Sequence, residues 1–140
     1  MKLNHWGRLV IKEWLQTPEV RPYIELDAFV VMPNHFHGVF LLHEFKDVTK
    51  REGATHRVAP TLKDRPSGPV SASVGAIIGQ FKSRVTKRIN DLRQKPGGPI
   101  WQRNYHEHVI RDDDDLNCIR EYVENNPARW LEDENYPENL

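Results

Sequence analysis

The stretch that most constrains this chain is residues 30–42, in which two apolar runs meet at the dipeptide Pro33-Asn34. Proline followed by asparagine is a strong turn signal, so the two runs predict a pair of neighbouring strands. The second run opens with His35 and His37, and residues two apart in a strand share a face of the sheet. Two imidazoles placed in this way can bind one metal ion, so the stretch predicts a candidate metal site.

Hydrophobic periodicity predicts the elements around this hairpin. Apolar residues recur at helical spacing in some segments and at strand spacing in others. The second strand of the hairpin is apolar on both faces, so we expect it to lie centrally in its sheet with cover on each side. The predicted helices span residues 3–16, 71–93 and 112–126, and the predicted strands span residues 23–32, 35–42 and 100–110.

The length of 140 residues is enough for one hydrophobic core. Residues 44–69 lose all periodicity and contain several prolines and glycines among charged side chains, which predicts a long variable loop. The last residues of the chain are acidic. We therefore predict a single domain over residues 1–131, interrupted by that loop, and a loose acidic tail over residues 132–140.

Equal numbers of basic and acidic side chains hide an uneven distribution along the chain. Residues 51–111 contain twelve basic and four acidic side chains, whereas residues 112–140 contain two basic and ten acidic ones. A basic middle segment favours a polyanionic partner such as nucleic acid. The alternative is that the two blocks neutralise each other within the fold.

Cys118 is the single cysteine, so no disulfide can form within the chain and a reducing compartment is favoured. No apolar run approaches the roughly 20 residues of a membrane-spanning helix, and the N-terminus lacks a signal-peptide pattern. These features predict a cytoplasmic protein with no membrane partner.

A catalytic constellation can be assembled from two predicted elements. Tyr122 and Asn126 are four residues apart on the last predicted helix and therefore share a face. If that helix packs on the side of the sheet that holds His35 and His37, two imidazoles, a phenol and a carboxamide oxygen converge. Such a donor set leaves coordination positions open for a substrate, and its oxygen ligand favours Mg²⁺ or Mn²⁺. A phenol beside a metal-bound phosphate is placed for nucleophilic attack.

Three blocks of the sequence resemble a known family. Residues 32–37 resemble the histidine–hydrophobic–histidine signature of the single-tyrosine HUH transposases. Residues 101–111 and 119–127 resemble the later blocks of the branch known as REP-associated tyrosine transposases. The blocks occur in the family's order, and the resemblance covers about residues 3–131. A lone His-X-His motif recurs by chance, whereas three blocks in register are a specific pattern.

The resemblance implies an α+β fold with helices on a small, ferredoxin-like antiparallel sheet. It implies a transposase that cleaves and rejoins single-stranded DNA at hairpins through a 5′-phosphotyrosine, with Mg²⁺ or Mn²⁺ as cofactor. His35 and His37 match the metal-binding pair, Tyr122 matches the nucleophile, and Asn126 matches the third metal ligand. The family has a further strand before the first helix, and we expect this chain to lack it. We expect a monomer or a homodimer.

Five cations of the basic segment are candidate DNA contacts. Those on the predicted helix 71–93 are either phosphate contacts or a solvated helix face, and the last lies in the predicted strand 100–110. The candidates are Lys82, Arg84, Lys87, Arg88 and Arg103.

Other assignments remain open at this point. Tyr122 can be a core tyrosine and Asn126 a helix C-cap, and Tyr105 is a rival nucleophile in a predicted strand. His106 and His108 repeat the His-X-His spacing and can bind a second metal, contact DNA or lie exposed. Two rival functions are a truncated, non-catalytic nucleic-acid-binding remnant and a metal hydrolase acting on small molecules. The hydrolase would need a further carboxylate or histidine ligand.

Overall fold

The structure is a computed structural model that describes residues 2–43 and 73–133. The predicted loop 44–69 and residues 134–140 of the predicted tail lie outside the described residues. The helices are α1 (His5–Leu15), α2 (Thr17–Val20), α3 (Val74–Arg93) and α4 (Asp113–Asn125), the strands are β1 (Ile24–Val31) and β2 (Phe36–Leu42), and a 3₁₀ turn spans Trp130–Glu132.

β1 and β2 form an antiparallel hairpin with helices packed against it, which confirms the α+β fold. Apart from the single-turn helix α2, the order of elements from α1 to α3 is helix, strand, strand, helix, as in the middle of a ferredoxin-like arrangement. Within the described ranges the sheet has two strands, so β2 pairs along one edge only. The expected cover on both faces is present, because α1 and α3 pack on one face and α4 packs on the other. The expected central position of β2 is wrong for this part of the chain.

Helix ends follow the signals in the sequence. The side chain of Asn4 accepts a hydrogen bond from the Gly7 amide at 2.8 Å and starts α1. α1 ends at Leu15, and Pro18 lies in the first turn of α2, where its missing N–H is tolerated. Asp112 caps α4, and the acidic residues that follow it suit the positive end of the helix dipole. None of the helices in the described ranges is long and apolar enough to cross a membrane.

One face of the hairpin packs on α1 and α3 through aromatic rings. Trp14 of α1 is fully buried, with its ring centroid 5.0 Å from Phe36, 6.0 Å from Phe40 and 5.1 Å from Phe81. Gly38 permits this approach, because a Cβ there would lie 2.7 Å from the Trp14 ring. We call Trp14, Phe36, Phe40 and Phe81 the aromatic face.

A buried ion pair links the same two helices. Glu13 of α1 is fully buried, and its carboxylate accepts from Arg84 Nε at 3.0 Å and pairs with Arg88, both on α3. Because the carboxylate is removed from water, it requires these two guanidinium groups to offset its desolvation.

A β-bulge shifts the register of β1. Between Leu26 and Phe29, β1 has one residue more than the facing part of β2. Beyond the bulge the two faces of the strand are exchanged, so Val31 is buried in the core while Val30 lies opposite His37. The regular alternation expected from the sequence would have placed Val30 on the core side.

No strand forms over residues 100–110, so the strand predicted there is wrong. Residues 102–109 are exposed, and Asn104 has a left-handed backbone with φ 69°, which interrupts an extended chain. Lys82 Nζ of α3 donates to the carbonyl oxygens of Gln102 and Asn104, each at 3.1 Å. A helix side chain therefore satisfies carbonyls that a neighbouring strand would otherwise bind.

Candidate functional site

The hairpin turn places two histidines side by side. The Met32 amide donates to the His35 carbonyl at 2.9 Å, which closes a tight turn around Pro33-Asn34. His35 directly precedes β2 and His37 lies within it, and their ring centroids are 4.7 Å apart. The pairing of imidazoles predicted from the His-X-His spacing is present.

Helix α4 packs on the face of the sheet opposite to the aromatic face. The Tyr122 ring meets the His37 ring edge-on, with 5.3 Å between centroids. One turn later Asn126 is buried, with 4 % of its surface exposed, whereas Tyr122 keeps 49 %. α4 therefore brings Tyr122 to the imidazoles and leaves it accessible from solvent.

Asp133 joins this group from the end of the described chain. The 3₁₀ turn after α4 places the Trp130 ring 5.7 Å from that of His35. Asp133 Oδ2 lies 3.8 Å from His35 Nε2, and its side chain is 6 % exposed. One donor atom from each of His35, His37 and Asp133 lies within 4.8 Å of the other two. Asp133, assigned by sequence to a loose tail, is instead packed against the histidines.

We call His35, His37, Tyr122, Asn126 and Asp133 the histidine face. Two of its buried polar atoms, His37 Nε2 and Asn126 Oδ1, have no hydrogen-bond partner among residues 2–43 and 73–133. Each buried atom left in this state costs about 1–3 kcal/mol. Both atoms carry lone pairs that can coordinate a cation, and such a contact would remove the cost.

Burial favours the neutral form of His37. Desolvation lowers its pKa, the nearby charge of protonated His35 lowers it further, and Asp133 acts in the opposite direction. A neutral imidazole is the form that binds metals. Two imidazoles and a carboxylate fit a divalent ion and leave coordination positions for a substrate oxygen.

Over 136 aligned residues the chain is 35 % identical to a protein of Haemophilus influenzae that is described as uncharacterized. The aligned part is 97 % of this chain and 72 % of that relative. The chain belongs to the family of this H. influenzae protein. No family model matches the chain, and no solved structure matches it. The resemblance to HUH transposases therefore rests on the sequence blocks and stays a prediction.

The five candidate DNA contacts predicted from the sequence have different surroundings in the structure. Arg84 and Arg88 pair with buried Glu13, and Lys82 binds backbone carbonyls with its ammonium 5.8 Å from the centroid of the Trp101 ring. Lys87 and Arg103 are exposed. Whether any of the five binds DNA stays a prediction.

The rival site residues lie on the segment between α3 and α4. Tyr105 is 46 % exposed. His108 Nε2 lies 2.8 Å from Asp115 Oδ2, and neither His106 nor His108 joins a metal-ligating cluster in the described part of the chain. Of the predicted constellation the described residues bring His35, His37 and Tyr122 together, whereas the second His-X-His does not join them.

Sequence reasoning missed Asp133 and a charged contact between β1 and α4. Arg120 Nε donates to Asp27 Oδ1 at 2.8 Å, and Arg120 Nη2 donates to Asp27 Oδ2 at 2.5 Å. Arg120 lowers the pKa of Asp27 by hydrogen bonding to its carboxylate. The sequence signals for these contacts are weak. The strand pattern predicts that Asp27 points away from the core, and Asp133 is one of several acidic residues near the end of the chain.

Proposed function

We propose that the protein cleaves and rejoins single-stranded DNA at hairpin-associated sites, with Tyr122 as the nucleophile. The observation that supports this most is the edge-on contact of Tyr122 with His37, within a group whose donor atoms suit a divalent ion. The resemblance to single-tyrosine HUH transposases supplies the substrate class. We further propose a cytoplasmic location, with a monomer or a homodimer as the active form.

The donor set fits Mg²⁺ or Mn²⁺. His35, His37 and Asp133 would hold the ion, and the orphaned Oδ1 of Asn126 is a further candidate ligand. Oxygen donors beside imidazoles suit Mn²⁺ well and Mg²⁺ acceptably. A bound ion would supply Lewis acidity to the scissile phosphate and offset its developing charge.

Tyr122 would attack the phosphorus atom in line with the leaving 3′ oxygen. The bond from its phenolic oxygen to phosphorus forms while the bond to the 3′ oxygen breaks, which leaves a 5′-phosphotyrosine and a free 3′-hydroxyl. The phenol proton passes to solvent, to which the half-exposed side chain is open, and the leaving oxygen takes up a proton. Because a phosphodiester replaces a phosphodiester, attack by a 3′-hydroxyl reverses the step and rejoins strands.

A denaturing gel tests this proposal. Purified protein is incubated with labelled hairpin oligonucleotides and Mn²⁺, and we expect a band retarded by the mass of the protein. Tyr122→Phe should remove the band, whereas the matched control Tyr105→Phe should keep it. An adduct that survives Tyr122→Phe and disappears in Tyr105→Phe would move the nucleophile to the segment after α3. Binding of the hairpin oligonucleotides without cleavage, in Mn²⁺ and in Mg²⁺ alike, would favour a non-catalytic nucleic-acid-binding protein.

A metal-dependent hydrolase is the second candidate, and Asp133 favours it. That carboxylate supplies the third ligand that a hydrolytic site would need beside His35 and His37. Water would then be the nucleophile, and Tyr122 would be dispensable. Hydrolysis product that still forms in Tyr122→Phe, with no protein–DNA adduct, would select this candidate.

A further inference from the structure

The contact between Asp27 and Arg120 joins two elements that are distant in sequence. Its two hydrogen bonds, at 2.8 and 2.5 Å, form a bidentate carboxylate–guanidinium pair between β1 and α4. The Asp27 side chain is 15 % exposed and that of Arg120 is 41 % exposed. Bidentate pairs fix orientation as well as distance, because both nitrogens must face both oxygens.

Asp27 lies in the bulge of β1. It stands between Leu26 and Phe29, where the register shifts, and the Ala28 amide donates to Asp27 Oδ1 at 2.7 Å. A bulge commonly redirects one side chain without ending the strand pairing. The backbone therefore holds the Asp27 carboxylate together with Arg120.

α4 packs on the sheet through one narrow stripe of side chains. Among residues 113–125, Val123 is the buried side chain, and Asn126 follows at the cap. At 3.6 residues per turn, Arg120 and Tyr122 lie on opposite flanks of the stripe formed by Val123 and Asn126. A restraint on one flank therefore sets the rotation of the helix and, with it, the side chain on the other flank.

We infer that Asp27 and Arg120 are positioning residues for Tyr122. This inference rests on the proposed function, in which Tyr122 must meet a phosphate at the histidine face. A rotation of α4 by about 10° would move the phenolic oxygen by roughly 1.5 Å, given its distance from the helix axis. A displacement of this size is enough to slow an in-line attack about 100-fold.

The experiment compares single variants with a charge exchange. Asp27→Asn and Arg120→Gln should each lower the initial rate of adduct formation about 10- to 100-fold, with hairpin affinity unchanged within about twofold. The double variant Asp27→Arg with Arg120→Asp should recover at least about tenfold of that loss. Arg120→Lys keeps the positive charge but not the forked guanidinium group. Its rate of adduct formation should therefore lie between the rates of Arg120→Gln and of the wild-type protein. The matched control is Asp115→Asn, which removes another carboxylate pair of α4 and should leave the rate unchanged.

A second readout does not depend on catalysis. Protein labelled with 3-fluorotyrosine gives a ¹⁹F resonance for Tyr122, identified by its absence in Tyr122→Phe. In Arg120→Gln and Asp27→Asn this resonance should shift toward the value of an exposed tyrosine, and it should return in the charge exchange. If wild-type protein forms no adduct, the proposed function fails while the ¹⁹F result still decides the positioning role. An unmoved resonance with an unchanged rate, or a loss of thermal stability alone, would overturn the inference.

Discussion

The aromatic face and the histidine face draw alternate residues from the same hairpin, yet they differ in the kind of side chain that they bury. Trp14, Phe36 and Phe81 bury apolar rings against one another, which stabilises the fold by removing apolar surface from water. On the other face, His37 and Asn126 bury polar atoms without partners in the described chain. The aromatic face also buries one polar atom without a partner among the described residues, Trp14 Nε1, but its rings are otherwise apolar, whereas the histidine face is made of polar groups.

This difference indicates that the two sets of alternate residues in β2 have different roles. The period of two along β2 allows residues of one parity to anchor the helices α1 and α3 and residues of the other parity to remain available for a ligand. Unpartnered buried polar groups are typical of functional sites, and the proposed ligand site is on the histidine face for this reason. The comparison can be tested by changing each face separately.

The largest expected effect is on the aromatic face. Trp14→Ala should lower the free energy of unfolding by about 3–5 kcal/mol, because it removes a fully buried indole and leaves a cavity. Urea denaturation measures this change, and the exposed neighbour provides the control variant Leu15→Ala. A loss below about 1 kcal/mol in Trp14→Ala would show that this face is not the main anchor.

The next effect concerns the third ligand on the histidine face. Asp133→Asn should weaken Mn²⁺ binding about 10- to 100-fold, or roughly 1.4–2.7 kcal/mol, because an anionic donor is replaced by a neutral one. Asn126→Ala should have a smaller effect if Asp133 is the dominant oxygen ligand. Calorimetric titration of both variants decides the order, and a larger loss in Asn126→Ala would restore the ligand set expected from the sequence.

A smaller effect of opposite sign is expected at His37. His37→Phe should raise the free energy of unfolding of the metal-free protein by about 1 kcal/mol, because it replaces an unpartnered buried nitrogen with an apolar ring of similar shape. Denaturation in the presence of EDTA measures it. A clear destabilisation would mean that the imidazole of His37 has a hydrogen-bond partner in solution.

The smallest effect is a pH dependence that involves neither face directly. The pKa of Asp27 is lower in the folded protein than its ordinary value because Arg120 hydrogen-bonds the carboxylate. The folded state therefore binds fewer protons than the unfolded state, so the pair stabilises the fold above the ordinary aspartate range and loses this contribution as the pH falls through the folded pKa. Asp27→Asn should flatten the acid limb of a stability–pH curve. An unchanged acid limb would show that the pair adds nothing to folding.

Local patterns predicted much of the candidate site. His35 and His37 follow from the strand period, and Tyr122 and Asn126 follow from helical spacing, so each pair could be placed on one face before the elements were assembled. Asp133 could not be found in this way, because a non-periodic 3₁₀ turn brings it back to the hairpin. In the sequence Asp133 is one acidic residue among several, whereas in the structure it is buried beside His35.

The errors in the fold have similar causes. The apolar alternation through Ala28 and Val30 concealed the bulge in β1. An inserted residue does not disturb the hydrophobic pattern of a strand when the residues around it are apolar. The alternation over residues 100–110 suggested a strand, but a strand also needs a partner. There the backbone carbonyls bind Lys82 instead, and Asn104 adopts a left-handed conformation. Pairing and register are long-range properties that local patterns do not encode.

The most direct test of the account is a Mn²⁺ titration of the wild-type protein beside the double variant His35→Ala with His37→Ala. If the histidine face is a metal centre, the wild-type protein binds one ion per chain, and the double variant loses that binding while remaining folded on its intact aromatic face. The matched control, His106→Ala with His108→Ala, should bind like wild type. Equal binding by the wild-type protein and the His35/His37 double variant would contradict the central claim.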